Sequence, residues 1–168
     1  MLNCFTTPRG RTWMWILILA LGIAMEAVAL FFQYQLDYGP CVLCVHIRAW
    51  VFAIILVALV GLFSNSCQIA QRFSSVLFLG AAIGMLERAY VTLGIERGFI
   101  DGACTLDSGF PDWLPLDKWS ATIFEPWEAC GYTPELLFGI TMAEGLVALA
   151  VLLVMAALLM LVGSFKKA

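Results

Sequence analysis

One stretch sets the organisation of the chain: Pro40-Cys41-Val42-Leu43-Cys44, followed at once by the apolar run Val45–Phe63. Two cysteines separated by two residues therefore stand where a polar link ends and a hydrophobic segment begins. Arg48 comes four residues after the second cysteine, so a helix that starts there carries both side chains on one face. A charge inside a hydrophobic segment is costly and usually serves a function. The stretch predicts a dithiol at the start of a buried helix, with one positive charge a turn deeper.

The composition indicates an integral membrane protein. Hydrophobic residues make up 62% of the 168 residues and charged residues 12%, whereas soluble globular chains have about 45–50% apolar residues. Four segments have the length of about 20 residues that a membrane-spanning helix needs: Trp13–Phe32, Val45–Phe63, Phe73–Ile95 and Leu137–Val162. We predict an all-α membrane protein with one membrane domain over residues 1–168. It is a four-helix transmembrane bundle with a long exported loop at about 96–136, between helices 3 and 4. No basic cluster points to nucleic acid.

The distribution of lysine and arginine predicts the orientation of the spans. Basic residues flank the first span, lie between the second and third, and follow the fourth: Arg9, Arg11, Arg72, Lys166 and Lys167. The loop at about 96–136 has two basic residues against eight acidic ones. We therefore expect both termini on the cytoplasmic side, and Cys41, Cys44 and the long loop on the exported side.

The membrane divides the six cysteines into two groups. Cys4 and Cys67 fall on the cytoplasmic side, where thiols stay reduced, and no role is expected for them. The exported side holds the other four: Cys41, Cys44, Cys104 and Cys130. Four cysteines allow three pairings, and the short spacing favours the 41–44 pair, which leaves the other two.

Two other uses of the four exported cysteines have to be weighed. A bridge between Cys104 and Cys130 suits a structural staple, but a Cys-x-x-Cys bridge closes too small a loop to constrain the chain. That spacing is typical of redox-active pairs. A metal site is disfavoured because four-thiolate sites usually combine two close pairs, whereas the second pair here is widely split.

The expected helix start makes the dithiol asymmetric. If the helix begins near Cys44, its free backbone N–H groups and its positive dipole end favour a thiolate on that sulfur. Arg48 adds a positive charge one turn deeper, next to the thiolate or to an anionic redox partner. The spans hold further charges, which are expected to serve packing: Glu26, Glu87, Arg88 and Glu144. Glu87 and Arg88 are adjacent and point different ways, so they could pair with residues on other helices, such as Glu26 in the first span.

Taken together, these residues resemble the DsbB family, the quinone-dependent disulfide-bond formation proteins of bacterial inner membranes. The resemblance covers nearly the whole chain and includes the four spans with a long third link. The matching residues are Phe32-Gln33, Pro40-Cys41-Val42-Leu43-Cys44, Arg48, Cys104, Trp113-Leu114-Pro115-Leu116-Asp117-Lys118-Trp119 and Cys130. It implies a four-helix bundle that reoxidises a periplasmic thioredoxin-fold oxidase of the DsbA type. The electrons pass to membrane quinone, either ubiquinone or menaquinone.

The resemblance also implies a role for each site residue. Cys104 forms the mixed disulfide with the partner, and Cys130 exchanges with Cys41. Cys44 faces the quinone as a thiolate, and Arg48 assists there.

The third span departs from the family pattern. Some members carry a histidine there, ahead of Cys104, where this chain has Tyr90-Val91-Thr92. A quinone contact by a histidine at that point therefore cannot be carried over. Arg88 and His46 are the candidates to replace it.

Two other hypotheses also use four helices and exported cysteines. A vitamin K epoxide reductase-like bundle combines a Cys-x-x-Cys with a loop pair, but its motif belongs near the end of the bundle. A tetraspanin-like membrane organiser, which is not an enzyme, would hold four permanently oxidised cysteines. Thiol alkylation after a reduced partner is added distinguishes it from an oxidase, because only cycling cysteines become labelled.

Overall fold

Four long helices form the body of the protein. The computed structural model describes residues 8–64, 68–101, 108–128, 135–137 and 139–165. The helices are α1 (Pro8–Gln35), α2 (Val42–Phe63), α3 (Gln68–Glu96), α4 (Leu116–Trp119), α5 (Ala121–Phe124) and α6 (Met142–Phe165). Four of them, α1, α2, α3 and α6, are long and apolar enough to cross a membrane. The predicted all-α, four-helix membrane fold is confirmed.

The long helices pack in the order α1, α2, α3, α6. Small residues allow this close approach, as is common between membrane helices. In α3, a Cβ atom on Gly84 would come within 2.5 Å of the Trp50 indole of α2. In α1, a Cβ atom on Gly22 would come within 2.7 Å of the Ile55 side chain. α1 packs on α2 rather than on α6, and cavities occupy part of the seam between α1 and α6.

The apolar run predicts that the fourth span begins at Leu137, but its helix begins at Met142. Its first residues instead form a two-stranded antiparallel ribbon of β1 (Glu135–Leu137) and β2 (Ile140–Thr141). Gly139, with φ +78°, makes the turn. The Thr141 hydroxyl then accepts the Glu144 N–H at 3.4 Å, and the Glu144 carboxylate accepts the Thr141 N–H at 3.2 Å. This reciprocal capping box sets the helix start.

The charged residues that were expected to serve packing in α3 and α6, Glu87, Arg88 and Glu144, all form ion pairs. Glu144 also pairs with Arg97 at the end of α3, so its expected packing role fits. Glu87 and Arg88 pair with each other, with 2.9 Å between the carboxylate and Nε, and both are exposed. The expectation that these two would find partners on other helices is wrong, because long side chains at adjacent positions can still reach each other on the helix surface.

Residues 108–128 of the third link lie against one end of α2. Phe124 of α5 is buried and packs on Phe52 of α2 and on Phe110. The His46 ring also packs against Phe110, and its Nε2 lies 2.7 Å from the Ser108 carbonyl oxygen. Aromatic packing therefore fixes this part of the link next to the cysteine pair.

Candidate active site at the start of helix α2

Helix α2 begins at Val42, earlier than expected, and Cys41 is its N-cap residue. The Cys41 sulfur accepts the backbone N–H of Cys44 at 3.3 Å, as a side-chain oxygen does at an ordinary N-cap. The unpaired N–H groups of the first turn therefore act on Cys41. The expectation that they would act on Cys44 is wrong, because the helix starts before that residue.

The two cysteines form a hydrogen-bonded dithiol. Both are free thiols, and their sulfur atoms lie 2.7 Å apart. The Cys44 thiol and then the backbone N–H groups stabilise the Cys41 thiolate and lower the pKa of Cys41 to about 7, against the opposing effect of burial. With both kinds of donor aimed at one sulfur, the reduced pair carries its thiolate on Cys41.

Arg48 is buried, with 6% of its surface exposed. It donates hydrogen bonds to Gln33 Oε1 at 2.5 Å and to the carbonyl oxygens of Ile123 and Ala29 at 3.0 and 3.1 Å. These acceptors are neutral and belong to α1 and α5, so Arg48 ties both helices to α2. The bonds use three of the five N–H donors of a guanidinium. No described residue accepts from the other two.

Gln33 completes this cluster and is almost fully buried, with 1% exposure. Its Nε2 donates to the Thr122 carbonyl oxygen at 3.3 Å, and the Tyr34 hydroxyl donates to the same oxygen at 2.6 Å. The carbonyls at a helix C-terminus lack partners within the helix, and here α1 and α2 supply donors to those of α5. The cluster thus holds the third link on the bundle.

A cavity of about 470 Å³ lies between α1, α2 and α6, beside the dithiol. Cys41, Cys44, Arg48 and Glu26 line it, and its walls are otherwise mostly apolar, among them Met25, Phe32, Val51, Met142 and Leu146. A second cavity of about 230 Å³ lies along the seam between α1 and α6, and its lining is entirely apolar. Leu21 and Leu149 line both cavities. The site therefore combines a few polar groups near the sulfurs with a long apolar space.

The segment that leads towards Cys130 docks directly on the turn before Cys41. The backbone N–H groups of Trp127 and Glu128 donate to the Pro40 carbonyl oxygen at 2.9 and 3.4 Å. The backbones of Glu128 and Cys41 also form an isolated parallel β-bridge. A Cβ atom on Gly39 would come within 2.9 Å of both Trp127 Cβ and Glu128 Cγ. A residue with no side chain is needed there for so close an approach.

Comparison with known proteins gives the family. Residues 11–160 match the family described as "Disulfide bond formation protein DsbB". The chain belongs to the DsbB family. Similar proteins include "Disulfide bond formation protein B 2" of Pseudomonas aeruginosa, 31% identical over 160 residues, which cover 93% of this chain and 95% of that protein. Another is "Disulfide bond formation protein B" of Shewanella denitrificans, 33% identical over 137 residues, which cover 77% and 75%. The resemblance found in the sequence is confirmed, and the chain is a multi-pass inner-membrane protein of this family.

In this DsbB family member, three of the five predicted site residues come together: Cys41, Cys44 and Arg48. The other two, Cys104 and Cys130, lie outside the described residues, as do Cys4 and Cys67. Neither candidate for the missing histidine lines the large cavity, since His46 faces the third link and Arg88 pairs with Glu87.

Sequence reasoning gave no site role to Glu26, Gln33 or Gly39. A signal was present for the first two, because they are polar residues seven positions apart in an apolar span and so share a helix face. Nothing in the sequence pointed to Gly39, whose importance depends on how closely the third link approaches it.

Proposed function

We propose that this protein is a quinone-dependent thiol oxidase of the bacterial inner membrane. It reoxidises a periplasmic DsbA-like thioredoxin-fold protein and passes the electrons through two cysteine pairs to ubiquinone or menaquinone. One observation carries the proposal: the dithiol of Cys41 and Cys44 opens onto a mostly apolar cavity that also contains Arg48. Such a cavity in a membrane bundle can receive a lipid-soluble electron acceptor next to the sulfur that must be oxidised.

The cavity fits a quinone in size and chemistry. Its volume of about 470 Å³ is within the usual range of about 300–1,000 Å³ for small-molecule sites. The N–H donors of Arg48 that no described residue accepts from suit a quinone oxygen, and the apolar space between α1 and α6 suits an isoprenoid tail. When bound, the quinone supplies a two-electron acceptor.

The thiol chemistry then divides between the two sulfurs of the pair. Cys130 attacks Cys41 of the oxidised 41–44 pair, and Cys44 leaves as a thiolate. The docked segment supports this step, because the backbone of Glu128 forms a β-bridge with that of Cys41. Cys130 is only two residues further along the chain. Two residues of extended chain span at most about 7 Å, so the Cα atom of Cys130 lies within about 7 Å of that of Glu128. This reach is compatible with the separation between the Cα atoms of two cysteines joined by a disulfide. When the partner is released, Cys104 attacks Cys130, which re-forms the 104–130 disulfide and frees Cys41 as a thiol. Oxidation of the reduced Cys41–Cys44 pair next to the cavity then gives two electrons to the acceptor and re-forms the 41–44 disulfide.

Cys104 is proposed to receive the partner and to form the mixed disulfide with it. DsbA-type proteins are strong oxidants, so their reoxidation needs a still stronger acceptor, which a quinone pool provides. We also propose that both termini are cytoplasmic and that the four redox cysteines are periplasmic. The lysine and arginine distribution supports this orientation.

The test is a reconstituted electron-transfer assay. The purified protein is mixed with a reduced thioredoxin-fold dithiol protein and a short-chain ubiquinone, and the quinone absorbance is followed. We expect Cys44→Ser to block quinone reduction and Cys104→Ser to abolish the mixed disulfide with the partner. Cys67→Ser serves as the control, because that thiol has no expected role. Normal turnover by either of the first two variants would refute the proposal.

A further inference from the structure

Glu26 is a buried carboxyl group that the proposed function does not use. It lies in α1, is 7% exposed, and lines the large cavity. Its Oε2 atom has no hydrogen-bond partner among the described residues. Arg48 is close enough to attract it electrostatically, yet the described hydrogen bonds of Arg48 go to neutral acceptors. A buried charge without a partner is costly, and an ionisable group within a membrane span usually serves a function.

The position of Glu26 relative to the sulfurs gives the cavity two polar ends. Arg48 lies one turn deeper in α2 than Cys44, and it bonds to the Ala29 carbonyl of α1. Glu26 precedes Ala29 by three residues, which adds about 4.5 Å of helix rise, again away from the end where Cys44 lies. The cavity therefore has the electron-donating sulfur at one end, Arg48 in the middle, and a carboxyl group at the other.

We propose that Glu26 transfers a proton to the quinone when the cysteine pair is oxidised; this inference rests on the function proposed above. Oxidation of two thiols to a disulfide releases two electrons and two protons, and reduction of a quinone to the hydroquinone consumes the same number of each. Glu26 gives its carboxyl proton to the quinone oxygen at the deep end. It then regains a proton from the Cys44 thiol, and the second oxygen, at the end near Cys44, takes up the proton that Cys41 released when its thiolate formed.

Among the described residues, no other group around the cavity is placed for this transfer at the deep end. Arg48 keeps its proton in proteins, and the two cysteines are the groups being oxidised. Tyr38 and Glu128 are exposed and adjoin the turn that carries Cys41, which places them at the other end. The titratable groups that line the cavity with Glu26 are thus accounted for: Arg48, Cys41, Cys44, Tyr38 and Glu128.

The test compares Glu26→Gln, which keeps the shape but has no carboxyl proton, with Glu26→Asp, which keeps the proton. Glu87→Gln is the matched control, because it removes an exposed carboxyl of α3 that does not line the cavity. Quinone affinity is measured by quenching of tryptophan fluorescence with a short-chain ubiquinone, and quinone reduction by absorbance. Time-resolved infrared spectra of the wild-type protein, recorded while the quinone is being reduced, follow the transient loss and return of the protonated carboxyl band.

We expect Glu26→Gln to bind quinone within about twofold of the wild type but to reduce it about 100-fold more slowly, a usual loss for a missing proton donor. Glu26→Asp should retain most of the rate and shift the carboxyl band, and Glu87→Gln should behave as wild type. An undiminished rate in Glu26→Gln, or a loss of affinity with the rate at saturation preserved, would overturn the proton-transfer role.

The infrared measurement keeps the inference testable if Glu26→Gln does not fold. A wild-type time course in which quinone is reduced with no transient change in the carboxyl band would overturn it without any variant. A wild-type protein that does not reduce quinone at all would instead refute the proposed function, so the two failures are distinguishable.

Discussion

A single added methyl group at Gly39 should slow the disulfide exchange between Cys130 and Cys41 without slowing quinone reduction by the 41–44 pair. In Gly39→Ala, the new Cβ would lie 2.9 Å from Trp127 Cβ and from Glu128 Cγ, whereas carbon atoms prefer about 3.5–4.0 Å. The segment before Cys130 must therefore move by about 0.6–1 Å, which weakens its two hydrogen bonds to Pro40. Overpacking of this kind costs about 1–3 kcal/mol, so the docked position should become about 5- to 150-fold less favoured.

The assay compares two electron donors in the same variant. In the proposed mechanism, a reduced thioredoxin-fold partner works through Cys104 and Cys130, whereas a small dithiol can reduce the 41–44 pair directly. We expect Gly39→Ala to slow quinone reduction from the partner by about 5- to 150-fold and to leave the rate from the small dithiol unchanged. Gly80→Ala is the control, since no atom lies within 4 Å of its added Cβ. Equal loss with both donors, or no loss with either, would refute the role of the docked segment.

Three further changes test the neighbouring parts of the site. Arg48→Lys should lower the free energy of unfolding by about 1.5–3 kcal/mol for each lost charge-assisted hydrogen bond, because an ammonium group cannot reach all three acceptors of the guanidinium; denaturant titration in detergent measures this. Leu149→Trp should fill the space shared by the two cavities and weaken quinone binding at least about tenfold, a loss of about 1.4 kcal/mol, in a fluorescence titration. The third change uses the low pKa of Cys41, about 7, which makes its thiolate abundant at neutral pH. Cys44→Ser keeps a side-chain donor to that sulfur and Cys44→Ala removes it, so the pH midpoint of Cys41 alkylation should be higher in Cys44→Ala.

Each of these predictions has its own contrary outcome. An Arg48→Lys variant as stable as the wild type would show that the hydrogen bonds to α1 and α5 do not stabilise the fold. Leu158→Trp is the control for Leu149→Trp, because it faces outward and lines neither cavity; equal effects of both would refute the position of the quinone tail. Identical alkylation midpoints in Cys44→Ser and Cys44→Ala would contradict the hydrogen bond to Cys41.

The sequence predicted the spans well because their signal is long and uniform. Apolar runs of membrane length appear in the chain as helices, and the cysteine pair lies at a helix start as expected. Two of the differences at helix starts have clear local causes. Helix α2 starts at Val42 because a sulfur caps it, a role usually filled by oxygen side chains. Helix α6 starts at Met142 because Thr141 and Glu144 form a capping box, a short polar signal inside a hydrophobic run.

The site was harder to predict than the spans, because its geometry depends on contacts between distant segments. Arg48 was predicted to be functional from its position alone, but two of its acceptors are the backbone carbonyls of Ala29 and Ile123, which no sequence pattern reveals. Gly39 matters only because the third link passes within van der Waals contact of it. Glu26 gave a signal, a carboxyl within a span, but packing is the usual explanation for such a residue.

Arg48 connects the two halves of the proposed reaction more closely than the sequence suggested. One of its hydrogen bonds goes to Ile123 in the third link, only a few residues before the segment that docks next to Cys41. The same side chain lines the cavity and has donors left for a bound oxygen atom. A shift of the third link during disulfide exchange would therefore change the hydrogen bonding of Arg48, and with it the polar surroundings of the cavity. Thiol exchange and electron delivery are thus expected to be coupled through this one guanidinium, and loss of its bond to α5 should affect both.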